Sequence, residues 1–297
     1  MPLSVFLSAL ETIKSKSDTC IIVLTGGEPL LRKDIELCGR EFRKRGYRWG
    51  LVTNGFIYDE QRHISLLNAG LGALTISLDG LEDTHNWLRN SPVSFSKAGR
   101  AITLAASSHR LNFDVVTCVN KRNIKELPDV YEYLAGKGVK AWRLFTITPI
   151  GRAKDNDELF LTDLQFRELL DFISLKRNLK MIDIKFSCEG FVGKYELKVR
   201  DSYFFCRAGI NIGSVLIDGS ISACPNIDRE LSQGNIYRDN FYDVWQNRFK
   251  LFRDRKWTKT GICEYCTDYA DCQGNGLHNW HGVKENVLVC HNGKLRK

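Results

Sequence analysis

Six cysteines in the last third of the chain, Cys206, Cys224, Cys263, Cys266, Cys272 and Cys290, constrain its fold more than any other feature. Cys263-x2-Cys266-x5-Cys272, closed by Cys290, places four soft thiolates in a short, loop-rich segment. Four such thiolates suit either tetrahedral zinc or a [4Fe–4S] cluster, and spacing alone does not choose between them. Cys206-x12-Gly219-x4-Cys224 forms a second pair, with Asp218-Gly219 reading as a hairpin turn. Two thiolates do not complete a site. Cys188, just past an expected strand, is a candidate third ligand, and His278, His281 and His291 offer nitrogen, although a lone histidine is more often a structural residue.

Ten cysteines without a basic segment ahead of the apolar residues of Met1 to Leu10 point to metal or redox chemistry, not to a secreted disulfide scaffold. Cys20, Cys38 and Cys118 fall inside expected strands or helices and read as structural thiols. No apolar run approaches the roughly 20 residues of a membrane span, so a cytoplasmic protein without membrane contact is expected. Lysine and arginine outnumber the acids by 43 to 35, but they are scattered. Nucleic acid is therefore not an expected partner.

Upstream of the array, short apolar runs alternate with helical patterns. Leu3 to Ile13 has apolar residues at helical spacing, and Cys20 to Thr25 suits a buried strand. Strands follow at Trp49 to Thr53, Ala73 to Ser77, Phe113 to Val119, Ala141 to Thr148 and Met181 to Ser187. Helices are expected at Asp34 to Arg45, Glu60 to Asn68, Phe95 to Ser107, Ile124 to Ala135 and Leu164 to Leu175. This alternation predicts an α/β fold with a parallel sheet and right-handed crossovers, whose sites lie at the carboxyl ends of the strands. Those ends carry Gly26-Gly27-Glu28-Pro29, Thr53-Asn54-Gly55, Ser77-Leu78-Asp79-Gly80 and Asn120. Two adjacent glycines let a ligand approach the backbone, and Glu28 offers acceptors to an ammonium group, although Gly-Gly before Pro also makes a plain turn. From Cys206 onward, glycines punctuate short β-prone pieces, and a domain boundary is expected near Asp201.

The order Gly-Gly-Glu-Pro, Thr53-Asn54-Gly55 and Ser77-Leu78-Asp79-Gly80, followed by His85 and Arg89, resembles the partial (β/α)6 barrel of radical S-adenosylmethionine (SAM) enzymes. The tail resembles their SPASM extension, Cys-x(9–15)-Gly-x4-Cys, a gap, Cys-x2-Cys-x5-Cys-x3-Cys, a gap, and a last Cys. The resemblance implies a radical SAM core over residues 1–200 and a SPASM-like iron–sulfur domain over 201–297. It implies that Gly26, Gly27, Glu28 and Pro29 hold the SAM amino group, that Ser77 and Asp79 lie beside its polar parts, and that Thr53, Asn54 and Asn120 line the same mouth. It assigns Cys263, Cys266, Cys272 and Cys290 to an outer auxiliary [4Fe–4S] cluster. Cys206 and Cys224 go to an inner one, with Cys188 or a histidine as further ligands.

Three departures qualify this. The last position of the Cys-x2-Cys-x5-Cys-x3-Cys run is Gly276, so the inner cluster lacks a usual ligand. Pro225 follows Cys224 where sulfatase-maturing members carry an aspartate, which speaks against formylglycine formation. The family's Cys-x3-Cys-x2-Cys, which binds the SAM-cleaving cluster, should precede Gly26, where only Cys20 stands. The expectation is a longer enzyme in which Met1 is internal, with a missing first strand that would leave the Cys20 to Thr25 edge unpaired.

The expected function is therefore that of a radical SAM/SPASM enzyme of the peptide- or protein-maturing kind. Its partners would be a peptide or protein substrate and an electron donor such as a flavodoxin or ferredoxin. Without the SAM-cleaving ligands the chain as written should not reduce SAM. The alternative is a non-catalytic iron–sulfur or zinc module that binds a peptide or protein partner.

Overall fold

A computed structural model describes residues 1–14, 19–283 and 287–296. They divide into two compact units. One comprises Thr19–Ser187 with Lys198–Asp201; the other comprises Met1–Asp18, Cys188–Leu197 and Ser202–Lys297.

The first unit is a six-stranded parallel sheet in sequential order: β1 (Ile21–Leu24), β2 (Arg48–Thr53), β3 (Leu71–Ser77), β4 (Asn112–Val119), β5 (Ala141–Thr146) and β6 (Asp183–Phe186). Its register sorts side chains onto two faces, because successive residues of a strand point opposite ways. Leu74, Ile76, Val115, Val119, Trp142, Leu144 and Ile184 on one face are fully buried. Against that face pack α2 (Ile35–Lys44), α3 (Glu60–Asn68), α5 (Ser94–Ala106), α6 (Leu127–Gly136) and α7 (Asp163–Leu179), presenting residues such as Phe42, Leu66, Ile102, Leu134 and Leu170. The opposite face carries Ser77, Asp114, Val116, Cys118, Arg143, Phe145 and Lys185, all half-buried. This polar, partly open face leads to the strand ends.

Two elements differ from expectation for identifiable reasons. Helix α4 (Glu82–Arg89) was not legible, since only Thr84 and His85 of its eight residues are buried and no apolar stripe marks it. Helix α7 starts one residue earlier and ends four later than its apolar pattern. Its start is fixed by a capping box, in which Thr162 Oγ1 accepts from Gln165 N (3.2 Å) and Gln165 Oε1 accepts from Thr162 N (3.0 Å). Lys180, in the left-handed conformation at φ 55°, ends it. Among the described residues β1 pairs only with β2, and its Ile21 and Val23 are 50% and 53% exposed.

The second unit holds helix α1 (Leu3–Glu11), whose following residue Thr12 accepts through Oγ1 from Tyr242 N (3.3 Å). It also holds an antiparallel sheet of β7 (Ser214–Val215), β8 (Ser220–Ser222) and β9 (Gly234–Asn235). Asp218-Gly219 turns the β7–β8 hairpin, with Gly219 at φ 84°. Its core gathers Ile221, Val244, Phe249, Phe252, Leu277 and Trp280 around Cys263, with Cys206 and Cys224 packed against it.

Gly39 supplies a test of the helix–sheet packing. A Cβ there would stand 2.3 Å from Cζ2 of Trp49, a ring that is 1% exposed and fixed by its Nε1 donating to Ala69 O (3.2 Å). Alanine normally strengthens a helix over glycine, but Gly39→Ala is expected to destabilise this unit by about 1–3 kcal/mol through overpacking. Gly136→Ala meets nothing within 4 Å at an ordinary φ and is expected to stabilise by roughly 0.5–1 kcal/mol. Urea unfolding of both variants checks the opposite signs.

Candidate active site and metal centre

Parallel strands end together, so the turns after β1 to β4 meet at one rim. After β1 the chain runs through Gly26 and Gly27, both exposed, and Gly26 adopts φ 122°, which only glycine takes readily. A Cβ at either glycine would meet nothing within 4 Å. Bare backbone therefore faces open space at this rim.

Glu28 is bonded on both oxygens within the protein. Its Oε1 accepts from Leu30 N (3.0 Å) and Thr53 Oγ1 (2.7 Å), and its Oε2 accepts from Asn54 N (2.8 Å). The carboxylate staples the end of β1 to the end of β2 and caps the short Pro29–Leu31 turn. Asn54 Oδ1 in turn accepts from Phe56 N (2.9 Å). With both carboxylate oxygens engaged, what this corner offers a ligand is chiefly backbone.

Asp79 repeats the device after β3. It is 0% exposed; Oδ1 accepts from Cys118 N (2.8 Å) on β4, and Oδ2 from Arg89 Nε (2.7 Å). Arg89 also lies within electrostatic reach of Glu28. The expected residues Thr53 and Asn120 are likewise buried, and Ser77 is half-buried. Asn120 Oδ1 accepts from Arg122 N (2.9 Å) and Asn123 N (3.2 Å), so its side chain is spent on its own turn. Two residues missed in the sequence complete the rim. Asn123 Nδ2 donates to Asp79 O (2.8 Å) and Cys118 O (2.9 Å), and Glu126 accepts from Leu81 N (2.9 Å) and Thr84 Oγ1 (2.5 Å). The Asn120-x2-Asn123 spacing past a strand was the signal available for Asn123.

His85 is 1% exposed; its Nδ1 accepts from Asp79 N (2.9 Å), which leaves Nε2 to donate to Ser94 Oγ (3.1 Å). Burial pushes its pKa down to about 4, against an opposing pull from Asp79. On the half-buried face, Arg143 pairs with Asp114 and sends Nη2 to Thr75 Oγ1 (3.3 Å), while Thr75 donates to Asp114 Oδ1 (2.6 Å).

In the second unit the thiols fall into two groups. Burial raises Cys263 to about 11 and Cys272 to about 12, and the neighbouring thiols add to both. Cys263 feels Cys290 and Cys266, and Cys272 feels all three others. Arg296 Nη2 donates to Cys266 Sγ (3.5 Å), and Gly293 N to Cys290 Sγ (3.3 Å). Cys224 is raised to about 11, first by burial, with smaller pushes from Cys188 and Cys206. Among the described residues, no three His, Cys, Asp or Glu side chains converge as one shared metal ion requires. Zinc would draw four sulfurs to about 2.3 Å of one point. A [4Fe–4S] cluster takes the same four thiolates, one to each iron.

Of the candidate histidines, His281 pairs with Asp228 and lies exposed, His291 is buried near Asn275 (3.2 Å), and His278 is brought down to about 4 by burial. In the first unit Cys20 precedes β1, Cys38 is buried on α2 and Cys118 lies on β4. They do not form Cys-x3-Cys-x2-Cys, so these residues do not fit the SAM-cleaving cluster.

The family model of the radical SAM superfamily matches residues 1–134, and that of the SPASM iron-sulfur cluster-binding domain matches residues 206–267. The chain thus carries the likeness of a radical SAM domain followed by a SPASM domain. An AdoMet-dependent heme synthase of Methanosarcina barkeri is 28% identical to it over 273 residues, covering 85% of this chain and 77% of that protein. The sporulation killing factor maturation protein SkfB of Bacillus subtilis is 24% identical over 230 residues, covering 75% and 52%. The structure of SuiB from Streptococcus suis matches with a TM-score of 0.74 at 14% identity, covering 96% of this chain and 70% of SuiB. SuiB has also been solved with S-adenosylmethionine and with its precursor peptide SuiA. The chain thus has the α/β core and cysteine-rich extension expected of radical SAM/SPASM enzymes. Among its described residues, no helix is long and apolar enough to cross a membrane.

The buried imidazole gives the chain a pH signature. Below about pH 6.5 the unfolded state takes up a proton that folded His85 refuses until about pH 4. Its contribution is complete above pH 6.5 and is lost as pH falls toward 4, by up to roughly 3 kcal/mol. His85→Asn is expected to be weaker at pH 7 but to lose less stability between pH 7 and 4.5 than the parent, as read from urea midpoints. Equal losses in both proteins would refute this assignment.

Proposed function

We propose that this chain seats SAM at the rim formed after β1 to β4 and forms the core and extension of an enzyme for radical modification of a peptide or protein side chain, incomplete as given because its own cysteines supply no SAM-cleaving cluster. The observation that carries the SAM site is the exposed Gly26-Gly27 backbone with open space before it, braced by Glu28. Gly26, Gly27, Glu28 and Pro29 would present backbone to the amino acid end of SAM. Thr53, Asn54, Ser77, Asp79 and Asn120 would shape the rest of the rim, with Asp79 and Arg89 keeping it rigid. In family terms the core is residues 1–200 and the extension 201–297. Cys263, Cys266, Cys272 and Cys290 would hold the outer auxiliary cluster, and Cys206, Cys224 and Cys188 belong to the inner one. An auxiliary [4Fe–4S] cluster, when bound, supplies one-electron transfer or a substrate-binding iron. The electron donor would be a protein such as a flavodoxin or ferredoxin, and the setting cytoplasmic.

The peptide reading is supported by SkfB, which is named a maturation protein, and by the complex of SuiB with SuiA, whose fold this chain shares. A second reading, a tetrapyrrole substrate, is favoured by the 28% identity to the heme synthase.

Gly27→Val tests the SAM site, because its Cβ meets no protein atom and its φ is ordinary. The variant is expected to keep its melting temperature within a few degrees while losing at least about tenfold in SAM affinity, a change of about 1.4 kcal/mol or more, by isothermal titration. A parent chain with loaded clusters that fails to bind SAM overturns the reading. A shift of the absorption band of an added ferric porphyrin, saturating at one per chain, would favour the tetrapyrrole.

A further inference from the structure

The thiols of Cys188, Cys206 and Cys224 come from separate segments of the cysteine-rich unit and lie within electrostatic reach around Cys224. Three thiolates leave one corner of a four-iron cluster without a protein ligand. The glycine at 276 leaves room that the ring of His278 occupies. A Cβ at 276 would stand 2.6 Å from Cε1 and 2.9 Å from Nδ1 of that ring, and 2.7 Å from Glu189 O. Asn279 Nδ2 donates to the same Glu189 carbonyl (2.9 Å), so the turn Leu277–Asn279 is pinned to the residue that follows Cys188.

His278 Nε2 is buried and has no hydrogen-bond partner; Glu189 Oε2, at 3.9 Å, is beyond hydrogen-bond range. A buried ring nitrogen left this way needs an explanation, and ligation of a metal is one of the few available. A second orphan adjoins Cys206. Arg255 is 5% exposed, its Nη2 donates to the Cys206 carbonyl, and its Nη1 is buried without a partner. A buried guanidinium tied to a thiol-bearing residue suits a neighbour that carries negative charge.

We propose that Cys188, Cys206, Cys224 and His278 together hold a second [4Fe–4S] cluster, with His278 Nε2 as its nitrogen ligand and Arg255 as its counter-charge. This rests on the reading of the extension as an auxiliary iron–sulfur domain. It goes beyond that reading in the mixed ligand set and in the residue that supplies the nitrogen.

The test uses the full chain, reconstituted without oxygen with iron and sulfide, and a Cys263→Ala/Cys272→Ala variant that lacks the outer site. The parent is expected to bind about eight irons per chain and the variant about four. Pulsed electron paramagnetic resonance of the reduced variant should show coupling to a nitrogen that changes when histidine alone is isotope-labelled. Adding His278→Cys should keep the iron, abolish that coupling and lower the midpoint potential, since replacing thiolate by imidazole raises it. The labelling readout on the unaltered chain tests the proposal even if a variant folds poorly. A cluster without histidine coupling overturns the proposal. About four irons in the parent and none in the variant also overturns it, while leaving the outer cluster in place. No iron in either protein removes the auxiliary-cluster reading as well.

Discussion

Everything at the rim depends on two carboxylates that satisfy backbone and side-chain donors where parallel strands stop. A strand end leaves N–H groups without ladder partners, and burying them unpaired costs free energy. Glu28 takes Asn54 N and Leu30 N, and Asp79 takes Cys118 N. Each thereby joins neighbouring strands at the level where a ligand would sit. The glycines at 26 and 27 can remain bare because Glu28 holds the turn; without that staple, two exposed glycines would leave the corner loose. Polar residues that sequence reasoning reads as ligand contacts thus divide into those that build the rim and the backbone that the rim displays.

The sheet was legible because each buried strand is a short β-branched and apolar run bounded by Gly, Asn or Asp, and all six strands stand within three residues of their expected limits. Helices with an apolar stripe were equally plain. Helix α4 was not, because its buried residues are Thr84 and His85, and its start is held by Glu126, more than 40 residues away. The same long range hid Asn123, which acts on Asp79. For the site, the sequence pointed to the strand ends, and the structure shows the acceptors of Glu28 and Asn120 used within the protein. Arg143 is paired with the Asp114 carboxylate on the adjacent strand, and no local spacing announces that pair.

In the cysteine-rich unit, burial and mutual repulsion oppose the charged form that metal ligation requires. The thiols of Cys224, Cys263 and Cys272 stand well above the usual thiol range for that reason. Such groupings are unfavourable as thiolates until iron neutralises them, so binding free energy is spent on deprotonation as well as on ligand placement. The hydrophobic core that surrounds Cys263 prepays the placement: Phe249, Phe252, Leu277 and Trp280 fix the loops before any metal arrives. Arg296, reaching Cys266 Sγ and Asp268, brings one positive charge to the edge of this site.

The two thiol groups also differ in how the chain delivers them. Cys263, Cys266 and Cys272 lie within ten residues, so their spacing announced a site without any structure. Cys188, Cys206 and Cys224 are spread over 37 residues, and folding brings Cys188 and Cys206 within electrostatic reach of Cys224. A cluster responds to donor number and geometry, not to the order in which donors occur along the chain. Loss of a thiol at position 276 is therefore tolerable wherever another donor reaches the same volume, and the ring of His278 occupies the space that Gly276 leaves open. That exchange would alter charge and potential more than fold, because the surrounding pins, Asn279 on Glu189 and Asn275 Oδ1 accepting from Phe191 N (3.0 Å), do not involve the ligands themselves.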